Sequence, residues 1–386
     1  HEFLERYLGK GEALAWPCTG CRACEAVCPA ERKPYQLVRD AMRDFLKGHE
    51  NALSDYHQEY LEHGRIGASR VFLDDLVLPA KIAGRLAFLQ SFDRIIVFPG
   101  CLVSARYPWL VHRLYQLLVM LGVDTKNIVV DDESCCGSFL LSTSDEEYVD
   151  AGEQLFKVLT KKPCKSLVIT TCGSCTSTLQ DIQHRLLMNT RPKKVAGNPA
   201  MATIMHYTEL LAMPGCIDVL KPVIERLVTG HARGGARGGN GKGVGDVTGN
   251  KDGNKDGNGR ARNGVYVQFP CQVAADPVHK QQVITGLKEL LTVAGYTTAR
   301  VNHDLGCCGA GLLDTHPDLA IEYGIHRISN ITGDSDIEVS TIAVACGNCH
   351  RILVDFKPAI EVECDCITMD VGIRFLLDML MELMLP

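Results

Sequence analysis

Ten of the chain's eighteen cysteines fall into two copies of one five-cysteine pattern. The first copy is Cys101, Cys135-Cys136-Gly137 and Cys172-Gly173-Ser174-Cys175; the second is Cys271, Cys307-Cys308-Gly309 and Cys346-Gly347-Asn348-Cys349. Cys271 follows Cys101 by 170 residues, Cys307 follows Cys135 by 172 and Cys346 follows Cys172 by 174, so the pattern is an internal duplication. Thiolates are soft metal ligands, and C-x-x-C and Cys-Cys units are ligand geometry more often than bridge geometry. Five per copy is one more than a zinc ion or an ordinary four-iron cluster takes. Two adjacent thiolates cannot both bind one iron without strain, so a Cys-Cys step reaches different irons and supports an opened, asymmetric cluster. Gly137 and Gly309 are expected to let the backbone turn where a side chain would collide with that cluster. An iron left open can bind a substrate sulfur, whereas structural zinc leaves the fifth cysteine unexplained.

A second signal lies near the start: Cys18-x-x-Cys21-x-x-Cys24-x-x-x-Cys28-Pro29. This run specifies a cubane [4Fe-4S] cluster, because two intervening residues make a turn whose sulfurs reach neighbouring irons. A zinc knuckle would not call for the third and fourth cysteines and the proline. In two-cluster ferredoxin-type domains the fourth cysteine ligates the other cluster. No second run occurs between Cys28 and Cys101, so either its partner motif lies upstream of His1 or Cys28 has another role. The chain opens on His1 in a helical pattern, which leads us to expect further residues upstream.

These ligands need elements to hold them. With 386 residues and 46% hydrophobic content the chain can bury two cores. Residues 1–90 read as a helical ferredoxin-type segment, with helical spacing over 35–46 and 80–89. From Arg94 strands alternate with helices: strands at 95–98, 128–130 and 167–170, helices at 108–121, 148–159 and after Cys175, closing with a strand at 204–206. The second half repeats this with strands at 265–269 and 342–345, a helix at 281–294, Val301 before the Cys-Cys step, and Val362 before a helix at 373–380. Such alternation predicts parallel sheets, an α/β fold of two pseudo-symmetric Rossmann-like units, with each cysteine group just past the carboxyl end of a strand. The domains expected are therefore 1–90, 91–229 and 265–386, with 230–264 as a disordered linker or insertion. That last stretch is glycine-rich and repeats Lys-Asp-Gly-Asn at 251 and 255, a composition that cannot bury enough apolar surface to fold. Its Arg-Gly-Gly units lack the interleaved aromatics of an RNA-binding tail, and its Asp-Gly-Asn phrases lack the spacing of a calcium loop.

A net charge of −6 without a basic stripe argues against nucleic acid. No run of about 18 apolar residues is present, and the apolar 371–385 stretch is broken by Arg374, Asp378 and Glu382, which suits a docked amphipathic helix. Cysteine usage without a signal peptide points to a reducing, cytoplasmic setting, with membrane association through a partner. No Gly-x-Gly-x-x-Gly fingerprint is present, so electrons must come from a partner subunit.

The spacings Cys-x(33)-Cys-Cys-Gly-x(34)-Cys-x-x-Cys and Cys-x(35)-Cys-Cys-Gly-x(36)-Cys-x-x-Cys resemble the paired CCG domains of heterodisulfide reductase catalytic subunits from methane-forming archaea. The N-terminal run makes the chain look like the form in which ferredoxin-type and catalytic parts are fused. The resemblance covers residues 93–380 and implies two noncubane [4Fe-4S] clusters. Cys101, Cys135, Cys136, Cys172 and Cys175 would hold one; Cys271, Cys307, Cys308, Cys346 and Cys349 would hold the other. A cubane held by Cys18, Cys21, Cys24 and Cys28 would feed them. It implies an anaerobic oxidoreductase of methanogenesis that reduces the coenzyme M-coenzyme B disulfide, each cluster giving one electron and taking one sulfur. Partners would be flavin-containing, ferredoxin-like or membrane cytochrome subunits. Iron-sulfur subunits for glycolate, lactate or glycerol phosphate oxidation resemble the layout too, and imply an electron relay with no substrate of its own. Many of those lack cysteines of one copy; both copies are complete here, which favours disulfide reduction.

The other cysteines read as packed or surface thiols: Cys164, Cys216, Cys364 and Cys366. His206 and His350 lie beside cluster loops, where a proton-donor role competes with an ordinary structural one. Lys165, His184, Arg185 and His350 are candidates for attracting an anionic substrate, against a simple solvated face.

Overall fold

The computed structural model describes residues 55–63, 65, 71, 73, 76–82, 86–142, 145–161, 164–188, 199–234, 264–271, 273, 277–300, 306–313, 317–333, 335–355, 357 and 371–385. Cys18, Cys21, Cys24, Cys28, Cys364 and Cys366, the helix expected over 35–46 and most of the expected linker lie outside the described residues.

Helices α1 (Asp55–His63) and α2 (Ala87–Gln90) precede the first sheet. Then come β1 (Arg94–Phe98), α3 (Cys101–Arg106), α4 (Pro108–Met120), β2 (Ile128–Val130), α5 (Asp145–Leu159), β3 (Ser166–Thr170), α6 (Gly173–Met188), β4 (Ala202–His206), α7 (Tyr207–Ala212) and α8 (Pro214–Gly234). The second half holds β5 (Gly264–Gln268), α9 (Pro277–Val293), β6 (Thr297–Thr298), α10 (Pro317–Gly333), β7 (Val339–Val344), α11 (Gly347–Asp355), β8 (Gly372–Phe375) and α12 (Leu376–Met384). The sheets run β2-β1-β3-β4 and β6-β5-β7-β8, and every pairing is parallel. The same strand order in both halves bears out the expected α/β architecture. Chain order reverses direction between β1 and β3, and again between β5 and β7. Those are the switch points where parallel sheets open a crevice.

Each central strand is a run of β-branched residues buried on both faces, the signature of a parallel sheet covered by helices. Ile95, Val97, Leu167 and Ile169 join one core; Ile96, Phe98 and Val168 join the other. Alternation along the second sheet does the same, with Val265, Val267 and Ala343 in the first core and Tyr266, Ile342 and Val344 in the second. Both cores pass through both halves. Helix α7 of the first half packs on α9 of the second, and α12 of the second packs on α4 of the first. Since α7 and α12 follow equivalent strands, and α4 and α9 do also, these contacts are one interface repeated about a pseudo-twofold axis.

Several expectations shift. Of the helix expected over 80–89, the described residues show only the part in the short α2, and the backbone before it bonds outward: Ile82 N donates to Met120 O (2.9 Å), and Gln116 Nε2 donates to Val77 O (2.9 Å). The strand before the second Cys-Cys step is Thr297–Thr298, and Val301 lies outside the described residues. The helix expected over 373–380 starts later, since Ile373 belongs to β8 and only from Leu376 does the chain coil. Helix α8 runs to Gly234, into the stretch read as linker. Among the described residues no helix is long and apolar enough to cross a membrane. The 371–385 stretch is β8 followed by α12, which docks with Leu376, Leu377, Met379, Leu380 and Met381 fully buried.

Candidate metal centre

The loop after β1 leads through Pro99 and Gly100 to Cys101 at the start of α3, and the loop after β2 carries Cys135 and Cys136. Cys172 follows β3 and Cys175 lies in the first turn of α6. The second half is built alike, with Cys271 after β5, Cys307 and Cys308 after β6, Cys346 after β7 and Cys349 in the first turn of α11. The backbone amides of Gly173 and Cys349, at the N-terminal ends of α6 and α11, bond to Cys346, which favours negative charge there.

The sulfurs join in one row. Cys101 is in hydrogen-bonding reach of Cys135, Cys135 of Cys136, Cys136 of Cys175, and Cys175 of Cys172. Cys172 then meets Cys346 of the other half, and the row continues through Cys349 and Cys308 to Cys307 and, at 4.0 Å, Cys271. Reading it from either end gives the same order of equivalent positions. Cys172 and Cys346 are duplicates of one another, and residues that touch their own duplicates lie on the axis. All ten are free thiols, and the 4.0 Å gap is far beyond the bond length of about 2.05 Å in a disulfide.

Seven of the ten are at most 5% exposed, so their negative charge is costly without a cation. The row answers locally by alternation. Cys136 is held toward thiolate by Cys135 and Cys175, Cys308 by Cys307 and Cys349, and Cys346 by Cys172 and Cys349. Their neighbours are pushed up: Cys135 by Cys101 and Cys136, Cys175 by Cys136 and Cys172, and Cys349 by Cys308 and Cys346. Cys101 is lowered to about 6, chiefly by the Cys135 thiol and also by His57. Backbone amides assist in matched pairs: Gly137 N donates to Cys135 Sγ and Gly309 N to Cys307 Sγ, each at 3.4 Å. Ser138 and Ala310 do likewise for Cys136 and Cys308. A soft, thiolate-rich donor set with amide support fits an iron-sulfur cluster in each half.

Gly137 and Gly309 both take positive φ (73° and 83°), as their turn role requires. Among protein atoms, a Cβ at Gly309 would lie 2.5 Å from Tyr323 of α10, and one at Gly137 would lie 3.4 Å from Leu140. The glycine that faces sulfur is Gly100, at φ 76° and ψ 163°, where a Cβ would lie 2.5 Å from Cys175 Sγ.

Behind the second site stands a buried cation. Arg327, 2% exposed, donates through Nε to Gln268 Oε1 (2.8 Å) and through a second nitrogen to the Tyr266 hydroxyl. Gln268 Nε2 in turn approaches Cys349 Sγ (3.9 Å). Asn348 Nδ2 of the second half reaches Cys172 Sγ of the first (3.8 Å). Near Cys346, the buried His206 Nε2 and Tyr207 Oη have no hydrogen-bond partner among the described residues.

His206 and His350 are pulled down to about 4 by burial, so both are neutral, and His350 stacks on Phe375 at 4.0 Å. Lys165 precedes β3, at the sheet edge opposite the cysteines, and its ammonium lies over Phe92. Arg185 pairs with Asp181 (2.9 Å), and His184 is exposed. The structure does not bring these cations to the sulfur row. Cys164 sits beside Ser166 at the same far edge, and Cys216 is fully buried in α8.

Residues 95–180 and 265–353 match the family model for the CCG cysteine-rich domain. Each match spans all five cysteines of one copy of the pattern. A curated relative, the probable glycolate oxidase iron-sulfur subunit of Bacillus subtilis (strain 168), is 25% identical over 215 residues, covering 44% of this chain. The chain spans about half of that relative's length, 47%.

Sequence reasoning missed Gly100, Arg327 with Gln268, and the docking of α1 on the first site. Gly100 had a signal: its duplicate is Pro270, so the two copies differ at the residue preceding their first cysteine. Arg327 sits on an apolar helix without any spacing that marks it, and α1 lies outside the duplicated unit.

Proposed function

We propose that the chain is the disulfide-reducing iron-sulfur subunit of a multi-subunit redox complex. Cys101, Cys135, Cys136, Cys172 and Cys175 would hold a first noncubane [4Fe-4S] cluster, and Cys271, Cys307, Cys308, Cys346 and Cys349 a second. Cys18, Cys21, Cys24 and Cys28 would hold a cubane that feeds both. The domains read as 1–90, 91–229 and 265–386 around the 230–264 insertion.

One observation carries the reading: the two thiol sets meet at the Cys172–Cys346 contact on the pseudo-twofold axis. Cleaving a disulfide takes two electrons and two protons and yields two thiols, and a two-sided site delivers one electron to each sulfur. When bound, the clusters would supply those electrons and an iron able to take each sulfur. The protein's share is to hold ten sulfurs in register, exclude water from Cys172 and Cys346 (each 5% exposed), and present His206 Nε2 and Tyr207 Oη with hydrogen-bonding capacity to spare. By resemblance the substrate is the coenzyme M-coenzyme B disulfide, and electrons arrive from a flavin, ferredoxin-like or cytochrome partner.

The second reading is a relay subunit without its own substrate, favoured by the relative's name as an oxidase iron-sulfur subunit. Thiol addition to the oxidised protein separates the two. Disulfide reduction predicts a changed EPR signal from a CCG-domain cluster; an unchanged signal with every thiol tried selects the relay. Zinc in place of about twelve irons, at four per cluster, would end both readings.

A further inference from the structure

The sister sites are unequal, and the inequality comes from outside the duplication. Helix α1 packs on α3, placing His57 Nε2 3.6 Å from Cys101 Sγ. The His57 nitrogen and the sulfurs of Cys101 and Cys135 all lie within 4.8 Å of one another. His57 is held there by stacking on Phe139 (centroids 4.3 Å, planes 25° apart), and Tyr60, one turn on, meets the same ring edge-on at 6.1 Å. Phe139 lies two residues past Gly137 of the Cys135-Cys136-Gly137 turn, so the ring that stacks on the imidazole is carried by the cysteine loop itself. Cys101 and Cys135 are 9% and 2% exposed beneath this cover, while their duplicates Cys271 and Cys307 are half-exposed.

The spacing has a chemical meaning. A nitrogen at about 2.0 Å and a thiolate sulfur at about 2.3 Å from one tetrahedral ion stand about 3.5 Å apart. The His57–Cys101 separation matches that figure. An imidazole is a neutral donor, so it adds a ligand to the five thiolates without adding negative charge, and histidine is an established ligand of iron-sulfur clusters.

We infer that His57 is a sixth donor of the first site, an imidazole ligand to the iron that Cys101 would bind. This rests on the cluster assignment made above.

The test is pulsed EPR on the full chain, grown with and without 15N-histidine, in the parent and in His57→Ala and His57→Cys proteins. The inference predicts a strongly coupled nitrogen in the parent that responds to the 15N label and is lost in both variants. It also predicts that His57→Cys, with a replacement ligand, retains the parent's iron content. Iron-replete protein whose nitrogen coupling is absent, or unchanged in His57→Ala, overturns this inference alone. Loss of the first cluster from His57→Cys as well as from His57→Ala also overturns it, because the histidine would then be serving the packing. Protein that holds zinc and no iron-sulfur cluster overturns the inference together with the assignment beneath it.

Discussion

Gly100→Ala strikes the first site without touching a ligand. Gly100 sits at φ 76° and ψ 163°, a region open in practice only to glycine, and holding another residue there costs about 1–3 kcal/mol. The added methyl would lie 2.5 Å from Cys175 Sγ, a collision that overpacking precedents value at about 1–3 kcal/mol. Together they give about 2–6 kcal/mol, a large part of the roughly 5–15 kcal/mol by which domains are stable. Relief requires Cys175 to move, which breaks its contacts with Cys136 and Cys172. Urea unfolding under anaerobic conditions should show a lower midpoint at unchanged slope, and iron content should fall by about the four atoms of one cluster. Gly333→Ala, where a methyl meets nothing within 4 Å, is the control and should stay within about 1 kcal/mol of the parent. A Gly100→Ala protein of parental midpoint and full iron content would refute the reasoning.

The halves are joined by apolar packing more than by charge. Leu287→Ala, in the shared core, should cost about 2–5 kcal/mol, whereas Arg106→Ala, which breaks a half-exposed ion pair to Asp355, should cost about 0.2–1 kcal/mol; the reverse order in urea unfolding would contradict the shared core. Burial pushes the Cys216 thiol up to about 12, so between pH 7 and 9 iodoacetamide should label Cys164 in native protein and reach Cys216 only after unfolding. The same shift makes stability fall as pH rises above about 9 toward 12, because the unfolded chain gives up that proton first; a Cys216→Ala protein should lack that component, and identical alkaline profiles for the two proteins would refute it. Arg327→Met removes a buried positive charge linked through Gln268 to Cys349, so redox titration should show the second cluster's potential falling more than the first's; equal shifts would show that the charge acts elsewhere.

Much of this was legible in the sequence because parallel strands buried on both faces are unbroken apolar runs. Ile95 to Phe98 and Leu167 to Thr170 announce themselves, and the cysteines behind them inherit their place at the carboxyl edge. Boundaries inside longer apolar stretches were not legible: in 371–385 the strand and helix periods abut at Leu376. The duplication implied two like sites but not that their sulfurs would form one row, since no local spacing encodes the packing of α7 on α9 and of α12 on α4. His57 could not be read at all. It belongs to neither copy, and only the tertiary docking of α1 brings it to Cys101.

The central claim is that two sites reduce one disulfide together. Its most direct measurement is an anaerobic titration of the fully reduced chain with the coenzyme M-coenzyme B disulfide, counting thiols released and electrons lost, beside a Cys308→Ser protein. The account predicts two electrons and two thiols per disulfide in the parent and none in the variant, whose second site is incomplete. Reduced protein that stays reduced in excess disulfide, or a Cys308→Ser protein that reacts as fast as the parent, would contradict it.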